Sequence, residues 1–431
     1  MIKKFPDLST WLTWSTCSIA LLPIVPNAIN SISMMVWAAL TIVSFFVHRR
    51  PTAPESQPGQ LPRTGVRPAP ATFLLLGGNF ILLALSLIYS IDRKEGINYL
   101  VTELPMLLFP LCFFIFTPTF KHRSDVLHKT LTVFWFSTVL MTLWVFLQYW
   151  RLDLFRQFAQ ADSFNTILRQ TAENLTDKHA DYLSIYLVFS LFIAAIRTMK
   201  KTSPLQRTLY ALSIPLQGLL LFLLAARSPI IALVIGSLII CFLQIKRPAT
   251  RWIVLLGLTA CFFAIIRLTP SIWSRIEEVR NTPLATPVGI YHNSTNIRVG
   301  IYKCAWQLIR EHPLAGIGAG SDRRALTECY AQFPTDVYQK TYYNTHNQYL
   351  NFWLLGGIPS LLLFLAALIG QYRQSIRRKD YIFLFFLLLM TIALSTENVL
   401  SRQAGIVFYY FFSCFFLFNR KIASGLYKKP L

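Results

Sequence analysis

Charged residues are scarce in this sequence, and acidic ones are scarcer still. Only 14% of its 431 residues are charged, with 41 Lys and Arg against 19 Asp and Glu. A soluble domain of this size would carry nearly twice that charged fraction, which excludes an ordinary soluble protein. The charges are also clustered, leaving apolar runs such as "TLTVFWFSTVLMTLWVFLQYW". Runs of about 18 or more apolar residues are long enough to cross a bilayer core of about 30 Å.

Several binding motifs are absent as well. The seven cysteines and seven histidines have no metal-ligand spacing, so no metal and no cofactor is expected. The Gly-rich stretch "HPLAGIGAG" follows a predicted helix and has no "GK[ST]" after it, which argues against a nucleotide-phosphate loop. No basic stripe is interleaved with exposed aromatic residues, so nucleic acid is not an expected partner.

The apolar runs predict an all-α, polytopic membrane protein with about twelve transmembrane helices. The predicted spans are 9–25, 28–47, 71–91, 103–118, 129–149, 181–197, 208–225, 229–245, 252–268, 347–370, 381–397 and 406–419. We expect the first two to form a retained hairpin without a cleavable signal peptide.

Basic residues predict the orientation, because cytoplasmic segments of membrane proteins are rich in Lys and Arg. If the N-terminus is cytoplasmic, the inner segments hold 24 of the 41 Lys and Arg but only 4 of the 19 Asp and Glu. The net charge of +22 is then mostly a consequence of topology. Both termini are expected in the cytoplasm, and the long segments 150–181 and 269–346 on the outer side.

The expected organisation has five parts. They are an N-terminal transmembrane hairpin (1–50), a Pro-rich cytoplasmic linker (51–70), transmembrane helices three to nine (71–268), a large outer loop carrying short helices (269–346), and helices ten to twelve with a cytoplasmic tail (347–431).

Within the outer loop, "IRVGIYKCAWQLIREHP" has Val299, Tyr302, Trp306 and Ile309 at helical spacing, and Pro313 would end that helix. The loop also holds Cys304 and Cys329, and a disulfide between them is one possibility that the sequence leaves open.

Polar residues at the outer ends of the spans are the candidates for chemistry. They are His179, Arg227, Arg298, His346, Glu397 and Arg402. An arginine near apolar lipid depth costs several kcal/mol unless it is paired or hydrated, and a guanidinium is suited to phosphate oxygens. Arg227 is therefore interpreted as more than a snorkelling turn residue. His346 precedes a predicted helix whose dipole favours a neutral imidazole, able to accept a proton.

Each candidate also has an ordinary structural explanation. The two histidines could be interfacial hydrogen-bonding residues, and Arg298 a solvated residue at a helix start. Glu397 and Arg402 could form a surface ion pair worth little energetically. However, all six fall in outer segments. Because all six are expected on the outer side of the membrane, we predict that they form a site for a phosphate-bearing lipid together with a proton acceptor.

Six stretches, taken in their order along the chain, resemble the O-antigen ligase/polymerase superfamily of bacterial membrane glycosyltransferases. They are "SLIYSIDRKEGINYLVTELPMLLFPL", "HADYLSIYL", "LLAARSPIIALVIG", "NIRVGIYKCAWQLIREHPLAGIGAG", "THNQYLNFWLLGGI" and "STENVLSRQAGIVFYYF", from about residue 85 to 418. The sequence departs from the family pattern at Ala180, where relatives often have proline.

The resemblance implies a large periplasmic loop and a donor glycan carried on undecaprenyl pyrophosphate in the bacterial inner membrane. The acceptor would be a hydroxyl of lipid A-core or of another glycan. Carried over by motif, Arg227 and Arg298 would bind the pyrophosphate and His346 would be catalytic. Arg402 is a further candidate pyrophosphate ligand, and Glu397 would orient His346 or an arginine. His179 is a candidate without an assigned role.

Other functions stay open at this stage. A polymerase or a protein O-oligosaccharyltransferase would use the same donor and differ only in the acceptor. A transporter or lipid-glycan flippase usually shows internal repeats and polar groups at the membrane midplane, whereas here the halves differ and the charges cluster at the ends of spans. A structural membrane subunit would leave the outer cluster of polar residues unexplained.

Overall fold

The architecture was examined in a computed structural model. It describes residues 7–49, 69–120, 123–158, 164–199, 203–268, 277–278, 280–282, 284–290 and 292–419. Most of the expected linker 51–70, the part of the expected outer loop between 269 and 276, and the expected tail from residue 420 lie outside the described residues.

The described residues form helices joined by short turns. The α-helices are α1 (Leu8–Ile19), α2 (Asn27–Arg49), α3 (Pro70–Ser86), α4 (Arg93–Glu103), α5 (Pro105–Leu111), α6 (Arg123–Arg151), α7 (Leu154–Phe158), α8 (Phe164–Thr176), α9 (Ala180–Thr198), α10 (Pro204–Leu224), α11 (Arg227–Gln244), α12 (Pro248–Leu268), α13 (Ser294–Glu311), α14 (Asp322–Tyr330), α15 (Val337–Lys340), α16 (Gln348–Arg378), α17 (Tyr381–Thr396) and α18 (Gln403–Phe418). A π-helical turn, Cys112–Phe116, extends α5, and a 3₁₀ turn, Val399–Ser401, joins α17 to α18.

Within the described ranges, seven helical segments are long and apolar enough to cross a membrane. They are Asn27–Val47, Arg93–Phe116, Ser124–Arg151, Ala180–Thr198, Pro204–Leu224, Arg227–Gln244 and Gln348–Arg378. The apolar helices α3, α17 and α18 are shorter. The predicted all-α, polytopic membrane fold is confirmed, while the number of twelve crossings stays a prediction.

Two predicted spans differ from the helices observed. The first span was expected to reach residue 25, but α1 ends at Ile19, because Pro23 and Pro26 cannot continue a regular helix. The span expected from residue 103 begins a full ten residues earlier, at Arg93. Asp92 caps that helix by accepting a hydrogen bond from the backbone N–H of Glu95 at 3.0 Å. Because the first turns of α4 are polar, the hydropathy of the sequence did not indicate this helix start.

The centre of the helical bundle is α9, whose side chains are almost all buried. It packs against α6, α10, α11 and α17. In its middle, Phe189 lies against Phe134, Phe386 and Phe408 with ring centroids 5.3–5.7 Å apart. Aromatic packing of this kind holds α9 rigidly against α6, α17 and α18. The residue that immediately precedes α9 is His179, so the core fixes the position of this candidate.

The Gly-rich segment 314–320 packs its backbone beside a break in α16. Gly357 interrupts that helix with a φ of 68°, and the carbonyl of Leu354 accepts a hydrogen bond from the backbone N–H of Ile317 at 2.8 Å. A Cβ atom at Gly320 would lie 2.2 Å from the backbone of α4. Close backbone packing therefore accounts for the glycines in this segment.

The helix expected in the outer loop is present as α13, which ends at Glu311 with His312 as its C-cap. Its buried face differs from the expected one. Trp306 is 43% exposed, whereas Ile297, Ile301 and Ala305 are buried. Of the four residues whose spacing predicted the helix, Ile309 is buried, Val299 and Tyr302 are half-buried and Trp306 is exposed, so the buried stripe coincides with them only in part. Both stripes repeat every three to four residues, so the period alone cannot tell which one faces the core.

Candidate functional site

A cavity of about 210 Å³ lies where the starts of α9 and α11, the segment before α16 and the turn between α17 and α18 meet. Its walls include His179, Asp181, His346, Glu397 and Arg402. Three of these four segments therefore bring titratable side chains to one space, and the start of α11 contributes Ser228.

His346 and Glu397 form the central contact of this cavity. The imidazole Nδ1 lies 2.9 Å from both carboxylate oxygens, and each side chain is 24% exposed. A carboxylate can only accept hydrogen bonds, so we assign the proton of the neutral ring to Nδ1. This tautomer leaves Nε2 with a lone pair that can accept a proton.

Local hydrogen bonds fold the chain around His346. Its backbone is in the left-handed region, with a φ of 43°, and its N–H donates to Asn344 Oδ1 at 2.9 Å. The side chain of Asn347 then caps α16, accepting from the backbone N–H groups of Tyr349 and Leu350. The two asparagines that flank this histidine in the sequence thus have a local structural explanation.

Arg298 reaches the same carboxylate from α13. Its Nη2 lies 3.3 Å from Glu397 Oε1, and its side chain is 43% exposed. It stands in the second turn of α13, whose N-terminus is held by a capping box between Asn293 and Asn296. Glu397 is therefore shared by a histidine and an arginine.

A disulfide between Cys304 and Cys329 joins α13 to α14, with the two Cα atoms 5.8 Å apart. It thereby anchors the helix that carries Arg298. The pairing that the sequence left open is present in the structure.

His179, another residue of the cavity wall, lies between two carboxylates. Its Nδ1 is 3.2 Å from Asp181 Oδ2, and its Nε2 is 3.6 Å from Glu173 Oε1. Arg169 contacts the same two carboxylates at 3.4 and 3.3 Å. The hydrogen bond to Asp181 raises the pKa of His179 above its ordinary value, and burial opposes this only in part. The cluster favours a protonated His179.

The structure brings most of the sequence-predicted residues together. Arg402 and Glu397 flank the 3₁₀ turn Val399–Ser401 and both line the cavity. Among the described residues, Glu397 pairs with His346 and Arg298, so the expected alternative of a Glu397–Arg402 surface pair is wrong. Arg227 is the first residue of α11, exposed and one position before Ser228, which lines the cavity.

Sequence reasoning missed three polar residues at the site. Asp181 lies in the quoted stretch "HADYLSIYL", and Asn398 directly follows Glu397. Thr345 directly precedes His346. The sequence indicated their place in the site only by their position beside a candidate residue. Their residue types were not informative, because Asn and Thr in turns usually have local structural roles. Over the ranges that the structure describes, no three His, Cys, Asp or Glu side chains are grouped as metal ligands would be.

Part of the chain matches a known protein family. A search of the curated proteins found none that matches the chain. The family model described as O-Antigen ligase matches residues 211–365. The matched segment runs from α10 to the first half of α16, and it contains Arg227, Arg298 and His346. This match supports the resemblance to the O-antigen ligase superfamily over these residues, about a third of the chain.

Proposed function

We propose that this membrane protein moves a glycan from undecaprenyl pyrophosphate to a hydroxyl of lipid A-core at the periplasmic face of the bacterial inner membrane. The family match supports an O-antigen ligase or polymerase function in general. The observation that carries the finer proposal is the contact of Glu397 with both His346 and Arg298 at one cavity. A proton acceptor and a phosphate-binding cation are thereby held side by side.

In the proposed reaction, the acceptor hydroxyl oxygen attacks the anomeric carbon of the donor's first sugar. The bond from that carbon to the pyrophosphate oxygen breaks, and the lipid pyrophosphate leaves with the electron pair, giving inversion. His346 takes the hydroxyl proton on Nε2. Glu397 accepts the hydrogen bond from Nδ1 and stabilises the imidazolium as it forms.

The arginines would stabilise the leaving group. Arg298 uses one N–H toward Glu397, and its partly exposed guanidinium has further donors for pyrophosphate oxygens. Arg402 lines the cavity and Arg227 stands next to its wall. Positive charge fixed where negative charge develops lowers the barrier to transfer. We propose that these arginines supply it without a metal ion, so transfer should persist in excess EDTA.

His179 would be a further donor to the substrate. The carboxylates of Asp181 and Glu173 favour its protonated form, whereas the proposed mechanism needs His346 neutral before the reaction. A protonated His179 and a proton-accepting His346 at one cavity would suit a reaction that both removes a proton and releases an anion.

The proposed orientation is supported by the Cys304–Cys329 disulfide, because disulfides persist in the oxidising periplasm and are rare in the cytoplasm. The cavity adjoins the helix that this disulfide anchors. A periplasmic active face, with both termini cytoplasmic, agrees with the distribution of Lys and Arg.

Deleting the gene and examining the surface lipopolysaccharide on gels tests this function. The deletion strain would be complemented with the wild type, Arg227→Ala, Arg298→Ala or His346→Ala at equal protein level. Arg310→Ala is the matched control, because Arg310 lies on α13 like Arg298 but packs over Trp306 at 5.4 Å, away from Glu397.

A ligase predicts loss of all long chains from the lipid core, with polymerised glycan accumulating on its lipid carrier. Only the wild type and the control variant would restore the chains. A core that carries a single repeat would instead identify a polymerase. An unchanged pattern would contradict both, and carrier-linked glycan retained inside the cell would identify a transporter.

A further inference from the structure

We infer that Asn398 is a positioning residue that holds His346 in its reactive orientation. This inference rests on the proposed function, since it concerns how the proposed proton acceptor is held. Asn398 belongs to none of the motif roles discussed above, and its side chain is only 4% exposed.

The backbone of His346 needs such support. Its φ of 43° lies in the left-handed region, which a residue with a Cβ adopts only at an energetic cost. A residue in this conformation stays there only when its surroundings hold it. Without support, the chain would relax and carry the imidazole away from Glu397.

Asn398 supplies that support on both sides of the histidine. Its Oδ1 accepts hydrogen bonds from Thr345 Oγ1 at 3.0 Å and from the backbone N–H of Asn347 at 2.8 Å. Thr345 is fully buried, and its hydroxyl also lies 3.0 Å from the carbonyl of Asn347. The residues before and after His346 are therefore bound to one amide oxygen.

The same amide also links His346 to its carboxylate partner. Asn398 directly follows Glu397, so the chain that binds the backbone around His346 also carries the group that contacts its ring. Two residues further on, the N–H of Leu400 donates to Gln348 Oε1 at 2.9 Å. The segment 345–348 and the segment 397–400 are thus joined by several hydrogen bonds. Together they fix the separation between Nδ1 and the carboxylate.

The chain offers a nearly isosteric test of this role. Thr345→Val removes the hydroxyl that bonds Asn398 but keeps the shape of the side chain, and Thr345→Ser restores the hydroxyl. Asn398→Ala removes the accepting oxygen itself. Each variant would be purified, reconstituted with lipid-linked donor and lipid acceptor, and compared with the wild type and His346→Ala for kcat and for the KM of the donor.

We expect Thr345→Val and Asn398→Ala to lower kcat by about tenfold or more, as expected for the loss of buried hydrogen bonds. The KM of the donor should change less than about twofold, because the arginines are untouched. Thr345→Ser should recover most of the lost kcat. The double variant should be little worse than Asn398→Ala, because Asn398→Ala already removes the bond to Thr345.

A normal kcat in Thr345→Val and Asn398→Ala, with His346→Ala inactive, would overturn the positioning role and leave the proposed function standing. An active His346→Ala would overturn both. A variant that raises only the KM of the donor would show that Asn398 acts on substrate binding, which also contradicts the inference. If Asn398→Ala fails to fold, the Thr345 pair decides alone.

Discussion

Replacing Glu397 by glutamine tests the pairing of carboxylate and imidazole. Glutamine keeps the length of the side chain and an oxygen that can accept from Nδ1 of His346 and from Arg298, but it removes the negative charge. A hydrogen bond to a charged group is worth about 1.5–3 kcal/mol, and each 1.36 kcal/mol corresponds to a tenfold change in rate. We therefore expect Glu397→Gln to lower kcat by about ten- to a hundredfold.

The assay is single-turnover transfer of a labelled glycan from lipid-linked donor to lipid acceptor by the reconstituted protein. Glu328→Gln is the matched control, because Glu328 pairs with Arg324 on the exposed face of α14 and both side chains are more than 60% exposed. Its kcat should equal that of the wild type. A Glu397→Gln protein with normal kcat, or one that loses only donor affinity, would refute the role given to this carboxylate.

The remaining predictions concern stability. Cys304→Ser should lower the free energy of unfolding by about 3.5 kcal/mol, since the lost disulfide joins residues 25 positions apart. Dithiothreitol should destabilise the wild type but not this variant. If dithiothreitol destabilised both proteins equally, the prediction would be wrong. Because the pKa of His179 is raised, its ion pairs stabilise the fold below its unfolded pKa of about 6.5 and lose this effect as pH rises through the folded value. His179→Gln should therefore lower the melting temperature more at pH 6 than at pH 9, and a reversed order would contradict the sign. Gly320→Ala should lower the free energy of unfolding by about 1–3 kcal/mol through overpacking, because its Cβ would lie 2.2 Å from a backbone atom. The control is Gly370→Ala, which has open space around the new Cβ and should have the melting temperature of the wild type.

Hydropathy made the membrane helices predictable because it is a local property of the sequence. The long helices α6, α9 and α11 each follow one apolar run, so their positions were read directly from the residues. The start of α4 was missed because its cap and first turns are polar, as in "DRKEGINY". The break at Gly357 was missed too, since its cause is a carbonyl contact with a segment about forty residues earlier in the chain.

The residues of the site could be predicted from the sequence, but the contacts between them could be predicted only in part. Position at the predicted outer ends of spans selected His346, Glu397 and Arg298, and the structure places these three side chains in contact. That Glu397 orients His346 or an arginine stays a prediction. The hydrogen bonds of Asn398 could not be foreseen. They join residues 51 and 53 positions apart, and only the packing of α16 against α17 brings these segments together.

Reconstituted transfer is the sharpest test of the proposal that His346 accepts the proton in a glycan transfer. Purified wild type and His346→Ala would be compared in vesicles that contain undecaprenyl-pyrophosphate-linked glycan and lipid A-core, with binding of the donor measured in parallel. We predict that the wild type forms glycosylated lipid A-core, and that His346→Ala binds the donor normally but transfers at less than about a hundredth of the rate, in line with loss of a general base. Transfer by His346→Ala at the wild-type rate would contradict the account.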